Sequence, residues 1–193
     1  MYITLLEIEM FIQTEETPNP ETIKFLPGKE VMSKGTAEFK SIELAINSPL
    51  ASRLFDVEGV SSVFFGGEFI SVTKSKNLEW ISLKPSILGK IMEHYNSGDP
   101  IIKAHKQVKN DEDSEEDETV KQIKDLIDTR VRPAVAMDGG DIQYESFEDG
   151  VVTLSMKGAC SGCPSSTATL KMGIENMLKH YIPDVKEVRA SSI

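Results

Sequence analysis

A block of acidic residues near the middle of the chain is the feature that most restricts its fold. Seven of the eight residues from 111 to 118 are aspartate or glutamate, in the order DEDSEEDE. A segment this acidic, without apolar periodicity, does not bury enough surface to join a core. We therefore predict an acidic flexible linker over residues 104–118, an N-terminal domain over residues 10–103 and a C-terminal domain over residues 119–193.

Turn signals and apolar patterning predict a mixed α/β fold for the N-terminal domain. Ser48 precedes Pro49 and an apolar stretch, which is typical of a capped helix with proline at its first position. A second helix is predicted over residues 79–95. Strands are predicted at residues 11–14, 22–26, 60–65 and 69–73, the last two joined by a glycine hairpin.

The C-terminal domain has the pattern helix, hairpin, helix, strand. Apolar residues recur every three or four positions from Val120 to Val135, the spacing of an amphipathic helix. Another apolar stripe, from Leu170 to Tyr181, predicts a second helix. Strands are predicted at residues 141–147, 151–156 and 185–188. Both domains are thus expected to be small mixed α/β (α+β) units.

Charge and composition exclude two classes of partner and suggest a compartment. The formal net charge is −10, and no basic cluster is present to displace counterions from phosphates, so we expect no nucleic-acid partner. No apolar run is long enough to cross a bilayer, so we expect no membrane partner. Residues 1–9 lack the basic residues and cleavage signal of a secretory or transit peptide, which favours a reducing, cytoplasmic location.

The chain has only two cysteines, Cys160 and Cys163, in the sequence GACSGCP. A gap of two residues lets both sulfurs bind one metal centre. The pair falls between a predicted strand and a predicted helix, where free N–H groups and the helix dipole favour the thiolate form. Small neighbouring residues allow another surface to approach closely. These features predict a metal or redox site.

One chain has too few cysteines to complete the ligand set of an iron–sulfur cluster. Iron–sulfur clusters are typically held by four thiolates, and this chain has two. His180 lies roughly 25 Å beyond Cys163 along a helix, and the other histidines show no ligand spacing, so all three are expected at the surface. The simplest completion is a homodimer in which a second copy supplies the same pair. A cluster that each copy half ligates should be easy to release, which favours a carrier.

Other chemistry remains open on the residues alone. Cys-x-x-Cys is also the motif of thiol–disulfide oxidoreductases, although the preceding hairpin differs from a thioredoxin-like crossover. A four-cysteine zinc site across a dimer is an alternative. Asp138 and Asp141 are expected to belong to a helix-to-strand turn. The segment Thr17-Pro-Asn-Pro20 is expected to be structural.

The sequence resembles the Nfu-type iron–sulfur scaffold family, which contains the NifU-like domain. The C-terminal resemblance lies in DGGDI at 138–142, GACSGCPSS at 158–166 and TLKMGIENML at 169–178. FIQT at 11–14, TPNP at 17–20 and SVFF at 62–65 resemble the Nfu N-terminal domain. The two resemblances cover the chain from about Met10 to Val188, and Cys160 and Cys163 match the family's cysteine pair.

The resemblance implies a non-enzymatic carrier in iron–sulfur cluster assembly. Such proteins bind a [4Fe-4S] cluster between two protomers, although a [2Fe-2S] cluster accepts the same four thiolates. The implied partners are a second copy of the chain and apo iron–sulfur proteins, including lipoyl synthase and aconitase-type enzymes. The family occurs in bacterial cytoplasm and the mitochondrial matrix. The acidic first residues favour the bacterial cytoplasm, with the matrix as the alternative.

Overall fold

The computed structural model describes residues 11–103, 117–161 and 164–191. We call residues 11–103 the N-terminal unit and the other described residues the C-terminal unit. Helices and strands alternate in both units, which confirms the predicted mixed α/β class. No helix in these ranges is long and apolar enough to span a bilayer.

The N-terminal unit is a five-stranded sheet with two helices on one face. The strand order is β1-β2-β5-β4-β3, with every neighbouring pair antiparallel. Its elements are β1 (Gln13–Glu16), β2 (Thr22–Leu26), β3 (Ala37–Phe39), α1 (Pro49–Phe55), β4 (Val60–Phe65), β5 (Ile70–Lys74) and α2 (Trp80–Ser97). The predicted hairpin and both predicted helices are present, and Ser48 caps α1 by accepting a hydrogen bond from the amide of Ala51.

Strand alternation gives this sheet two different faces. Successive side chains on a strand point to opposite sides of the sheet. Phe25, Phe65 and Val72 are fully buried in the core beneath the helices. Lys24 and Ser71 are next to core residues in sequence, so they lie on the opposite face, and this opposite face contacts the C-terminal unit.

The C-terminal unit packs helices against a three-stranded sheet. Its elements are α3 (Glu118–Leu126), one π-helical turn (Ile127–Val131), α4 (Arg132–Met137), β6 (Gly140–Glu148), β7 (Val151–Gly158), α5 (Pro164–Tyr181) and β8 (Glu187–Ala190). β6 pairs antiparallel with β7, and β8 pairs parallel with β7. Ile142, Leu154 and Val188 are fully buried in the core that the sheet shares with the helices.

The first helix of this unit contains a π-helical turn that the apolar pattern does not predict. The amide of Arg132 donates to the carbonyl of Ile127, five residues earlier. Pro133 has no amide hydrogen to continue an α-helical ladder, which favours such an irregularity just before it. The predicted apolar stripe survives this change, because Ile127, Val131 and Val135 are all buried.

Several predicted boundaries differ from those observed. The three-residue strand β3 has no apolar periodicity and was not predicted. The last strand begins at Glu187, two residues later than predicted. α3 begins at Glu118, with the carboxylate of Asp117 accepting a hydrogen bond from the amide of Thr119, so these two residues belong to a helix start. The rest of the predicted linker, residues 104–116, lies outside the described residues.

His94 is buried, so the prediction of a surface position for this histidine was wrong. It is only 1% exposed and continues the buried stripe of α2 three residues after Ile91. Among the described residues, neither ring nitrogen has a hydrogen-bond partner. Burial lowers the pKa of His94, with a further lowering by Arg53 and an opposing effect of Asp99. His180 is exposed as predicted, and His105 lies outside the described residues.

The lowered pKa of His94 predicts a specific loss of stability in acid. The unfolded chain keeps an ordinary histidine pKa, so it binds the proton more readily than the folded chain as the pH falls through about 6.5. His94→Leu should therefore increase the free energy of unfolding more at about pH 5 than at about pH 8. Urea unfolding at both pH values measures this difference. The exposed His180→Leu variant is the control, and a pH-independent effect of His94→Leu would contradict the prediction.

Candidate functional site

Cys160 lies in a tight turn between β7 and α5, at the strand-to-helix position that was predicted. β7 ends at Gly158, and α5 begins at Pro164. We call residues 158–161 the cysteine turn. Cys160 is 6% exposed and Ala159 is 3% exposed, so the turn is largely covered in this chain. Cys163, the second predicted ligand, lies outside the described residues.

Gly140 provides the space that the Cys160 sulfur needs. A Cβ atom on Gly140 would lie 2.7 Å from Sγ of Cys160 and 2.6 Å from the carbonyl oxygen of Lys157, closer than real Cβ atoms come. Gly139 has a positive φ of 81° and makes the turn. The φ of Gly140 is not positive, so its backbone conformation does not require glycine. Glycine is required at position 140 because a side chain there would collide with Cys160 and Lys157. The Asp-Gly-Gly-Asp segment was predicted to be a turn, and the contact of Gly140 with Cys160 was not predicted.

Gly158 fixes the start of the cysteine turn. Its φ is +63°, and a Cβ there would lie 2.7 Å from the carbonyl oxygen of Gly139 and 2.9 Å from the ring of Phe64. The amide of Gly158 donates to Oε1 of Glu38 over 2.9 Å. The amide of Ala159 donates to the carbonyl of Gly139 over 3.1 Å. The turn is therefore held by its own unit and by β3 and β4 of the N-terminal unit.

An ion pair between a buried carboxylate and a partly exposed guanidinium joins α4 to the strand beside the cysteine turn. The Asp141 side chain is 4% exposed and receives two hydrogen bonds from Arg132, Nε to Oδ1 at 2.7 Å and Nη2 to Oδ2 at 3.1 Å. The hydrogen bond to Asp141 is the main reason that the pKa of Arg132 is raised. Thr36 of the N-terminal unit also donates to Oδ2 of Asp141 over 2.8 Å. Asp141 is therefore more than a turn residue, and its contacts with Arg132 and Thr36 were not predicted.

Asn19 of the Thr-Pro-Asn-Pro segment reaches the cysteine turn directly. Its side-chain amide Nδ2 donates to the carbonyl oxygen of Ala159 at 3.3 Å and to that of Ser161 at 3.5 Å. Oδ1 of Asn19 accepts from the amide of Glu21 at 3.0 Å, which fixes the side chain within its own turn. The predicted structural role of this segment thus includes a contact with the other unit.

Two lysines near the site are already paired. Lys157 donates to Oε1 of Gln143 over 2.7 Å. Lys24 donates to Oε2 of Glu15 over 3.0 Å and to the carbonyl of Met137 over 3.1 Å. Within the described ranges, no three histidine, cysteine, aspartate or glutamate side chains are grouped so that they would hold a metal ion. Among the described residues of this turn, Cys160 is thus the one whose side chain can bind a metal ion or cluster.

Comparison with known families gives matches over both units. Residues 12–98 match the family described as "Scaffold protein Nfu/NifU N terminal". Residues 123–189 match the family described as "NifU-like domain". The second match contains both Cys160 and Cys163, and the first contains Asn19.

Curated relatives agree with these matches. The chain is 53% identical over 184 residues to the "NFU1 iron-sulfur cluster scaffold homolog, mitochondrial" of Drosophila willistoni, covering 93% of this chain and 63% of the relative. It is 52% identical over 184 residues to "NifU-like protein 4, mitochondrial" of Arabidopsis thaliana, covering 93% and 65%. The human protein with the same name as the Drosophila one is 51% identical over 180 residues, covering 93% and 71%. The chain thus spans just under two thirds of the length of the first two relatives. It belongs to the Nfu/NifU family of iron–sulfur cluster scaffold proteins.

Proposed function

We propose that this chain is a non-enzymatic carrier that assembles or receives an iron–sulfur cluster and transfers it to apo-proteins. The observation that carries the proposal is the position of Cys160. This thiol belongs to the chain's only cysteine pair and lies in a glycine-lined turn between a strand and a helix. The scaffold names of the relatives support the same role.

The cluster proposed is a [4Fe-4S] cluster shared by two copies of the chain. Four thiolates complete such a cluster, and one chain contributes Cys160 and Cys163. A two-fold axis brings two identical pairs together without any further residue. Each copy then holds the cluster by two bonds, so an incoming thiolate of an acceptor protein can replace them stepwise. Lipoyl synthase and aconitase-type apo-enzymes are the proposed recipients.

Two further assignments belong to this proposal. The chain is divided into an N-terminal domain over residues 10–103 and a cluster-binding domain over residues 117–193, joined by an acidic linker at residues 104–116; the predicted linker loses residues 117 and 118 because Asp117 caps the helix that begins at Glu118. The compartment that the relatives favour is the mitochondrion, because all three are named mitochondrial proteins. Their names support the mitochondrial alternative over the bacterial cytoplasm.

Anaerobic reconstitution with iron and sulfide tests the function. A [4Fe-4S] cluster shared by two copies predicts about two irons per chain, visible absorption, and a dimer by light scattering. Cys160→Ser and Cys163→Ser should each lose the cluster while keeping the far-ultraviolet circular dichroism of the native chain. Met172→Ser is the control, because it removes an exposed sulfur on α5 outside the turn.

The other outcomes separate the competing functions. An iron-free protein that reduces disulfides would support a thiol oxidoreductase. A colourless dimer that binds zinc would support a structural metal site, because zinc has a filled d shell. Full iron content in a strict monomer, with no external thiol present, would contradict the shared cluster.

A further inference from the structure

The helix-free face of the N-terminal sheet covers the cysteine turn. Its contact with the C-terminal unit includes side chains from β2, β3, β4 and β5 and the Thr-Pro-Asn-Pro segment. We call this set of residues the covering face: Asn19, Lys24, Glu38, Phe64 and Ser71. Each member contacts the backbone of the cysteine turn or of residues 137–139, so the contact is directed at the backbone around Cys160.

Asn19 contacts the peptide groups on both sides of Cys160. Its amide donates to the carbonyls of Ala159 and Ser161, the two residues that flank Cys160. Asn19 is itself 5% exposed, although it lies in a surface turn between two prolines. The two hydrogen bonds hold the peptide groups on both sides of Cys160 against the N-terminal unit.

The rest of the covering face is polar, with one aromatic contact. Oγ of Ser71 donates to the carbonyl of Gly139 over 2.7 Å, and this bond is buried. Nζ of Lys24 donates to the carbonyl of Met137, and Oε1 of Glu38 accepts from the amide of Gly158. The ring of Phe64 lies against Gly158. Polar contacts between units of one chain resemble transient protein interfaces, which separate and re-form readily.

This closed arrangement conflicts with a cluster shared between two copies. Such a cluster must contact the cysteines of both chains, yet Cys160 is only 6% exposed and its flanking peptides are bonded to the N-terminal unit. We propose that the covering face is a releasable cover, which protects the cysteine turn in the empty chain and separates from it before the cluster is bound or handed on. The need to separate for cluster binding rests on the proposed function, whereas the cover itself does not.

The reactivity of Cys160 in the reduced, cluster-free full-length chain tests the cover. Asn19→Ser removes the amide donor but keeps a short hydroxyl that can accept from the amide of Glu21, so the local turn is retained. We expect the rate of Cys160 alkylation by iodoacetamide, measured by peptide mass spectrometry, to rise at least about fivefold, because both bonds to the turn are lost. Asn96→Ser, at an exposed position on α2, should keep the native rate.

A second variant protects the test against local misfolding around Asn19. Ser71→Ala removes the buried hydrogen bond from the Ser71 hydroxyl on β5 to the carbonyl of Gly139 in the C-terminal unit. We expect the rate of Cys160 alkylation to rise about threefold or more. Ser61→Ala is its matched control, because the Ser61 hydroxyl also donates to a backbone carbonyl, that of Thr73, but within the N-terminal unit. Unchanged alkylation rates in both Asn19→Ser and Ser71→Ala, with native circular dichroism, would overturn the cover.

Cluster loading is measured separately on the same variants. Faster iron and sulfide uptake by Asn19→Ser than by the native chain supports a cover that must open. Equal uptake despite faster alkylation would overturn the requirement for opening. If no variant and no native chain bound a cluster, the proposed function would fail, while the alkylation rates would still decide whether the N-terminal unit covers Cys160.

Discussion

Gly158→Ala should destabilise the C-terminal unit by about 2–5 kcal/mol, because two costs act at one position. An L-residue in the left-handed region costs about 1–2 kcal/mol, and the φ of Gly158 is +63°. Overpacking costs about 1–3 kcal/mol, and the new Cβ would lie 2.7 Å from the carbonyl oxygen of Gly139, which is backbone and cannot rotate away. Urea unfolding followed by circular dichroism measures the change.

Three matched glycine variants separate these costs. Gly28→Ala has a similar φ of +68° and open space, so it reports the backbone cost alone. Gly140→Ala has the close contacts without the positive φ, so it reports overpacking and should also displace Sγ of Cys160. Gly173→Ala lies on α5 with nothing within 4 Å and should stabilise the chain by up to about 1 kcal/mol. A Gly158→Ala effect no larger than that of Gly28→Ala would contradict the close-contact explanation.

Arg132→Met should cost about 3 kcal/mol, because it leaves the buried Asp141 carboxylate without its cation. Removing one partner of a buried pair typically costs about 3–5 kcal/mol, and the lower end applies because the Arg132 side chain is 34% exposed. Of the hydrogen bonds described for the Asp141 carboxylate, the variant would keep only the one from the Thr36 hydroxyl. Urea unfolding measures the loss.

A double-mutant cycle with Asp141→Asn identifies the pair as the cause. The double variant should cost at least about 1 kcal/mol less than the sum of the two single variants. Arg189→Met is the surface control, since the Arg189–Glu187 pair is 60% and 40% exposed and should contribute less than about 1 kcal/mol. Additive effects of Arg132→Met and Asp141→Asn would show that the two side chains do not stabilise one another.

Local patterns were sufficient to predict most of the secondary structure. The strand at residues 22–26, the helix capped by Ser48 and the hairpin around Asp149-Gly150 all follow from interactions within a few residues, and all are observed. The π-helical turn was not predictable from periodicity, because it changes the hydrogen bonding of the helix without removing the apolar stripe. Pro133, just after this turn, is compatible with an irregularity, but proline alone does not specify a π-helical turn.

The environment of Cys160 depends on contacts that are distant in sequence. The Cys-x-x-Cys spacing identified the candidate ligands, but the contact of Gly140 with Sγ required the pairing of β6 with β7. Asn19 lies 140 residues before Ala159, and no local pattern in Thr-Pro-Asn-Pro indicates that its amide bonds that carbonyl. His94 was misplaced for a related reason, since its spacing fits the buried stripe of α2 while its polarity suggests the surface.

The position of β8 has a consequence for synthesis on the ribosome. β8 follows α5 in the chain, yet it pairs with β7, the strand that leads into the cysteine turn. The N-terminal sheet is complete at Lys74, whereas the sheet below Cys160 gains its third strand only when residues 187–190 have emerged. During translation, all five strands of the N-terminal sheet, α2 and Asn19 are thus synthesised before Cys160, so the N-terminal unit can fold first.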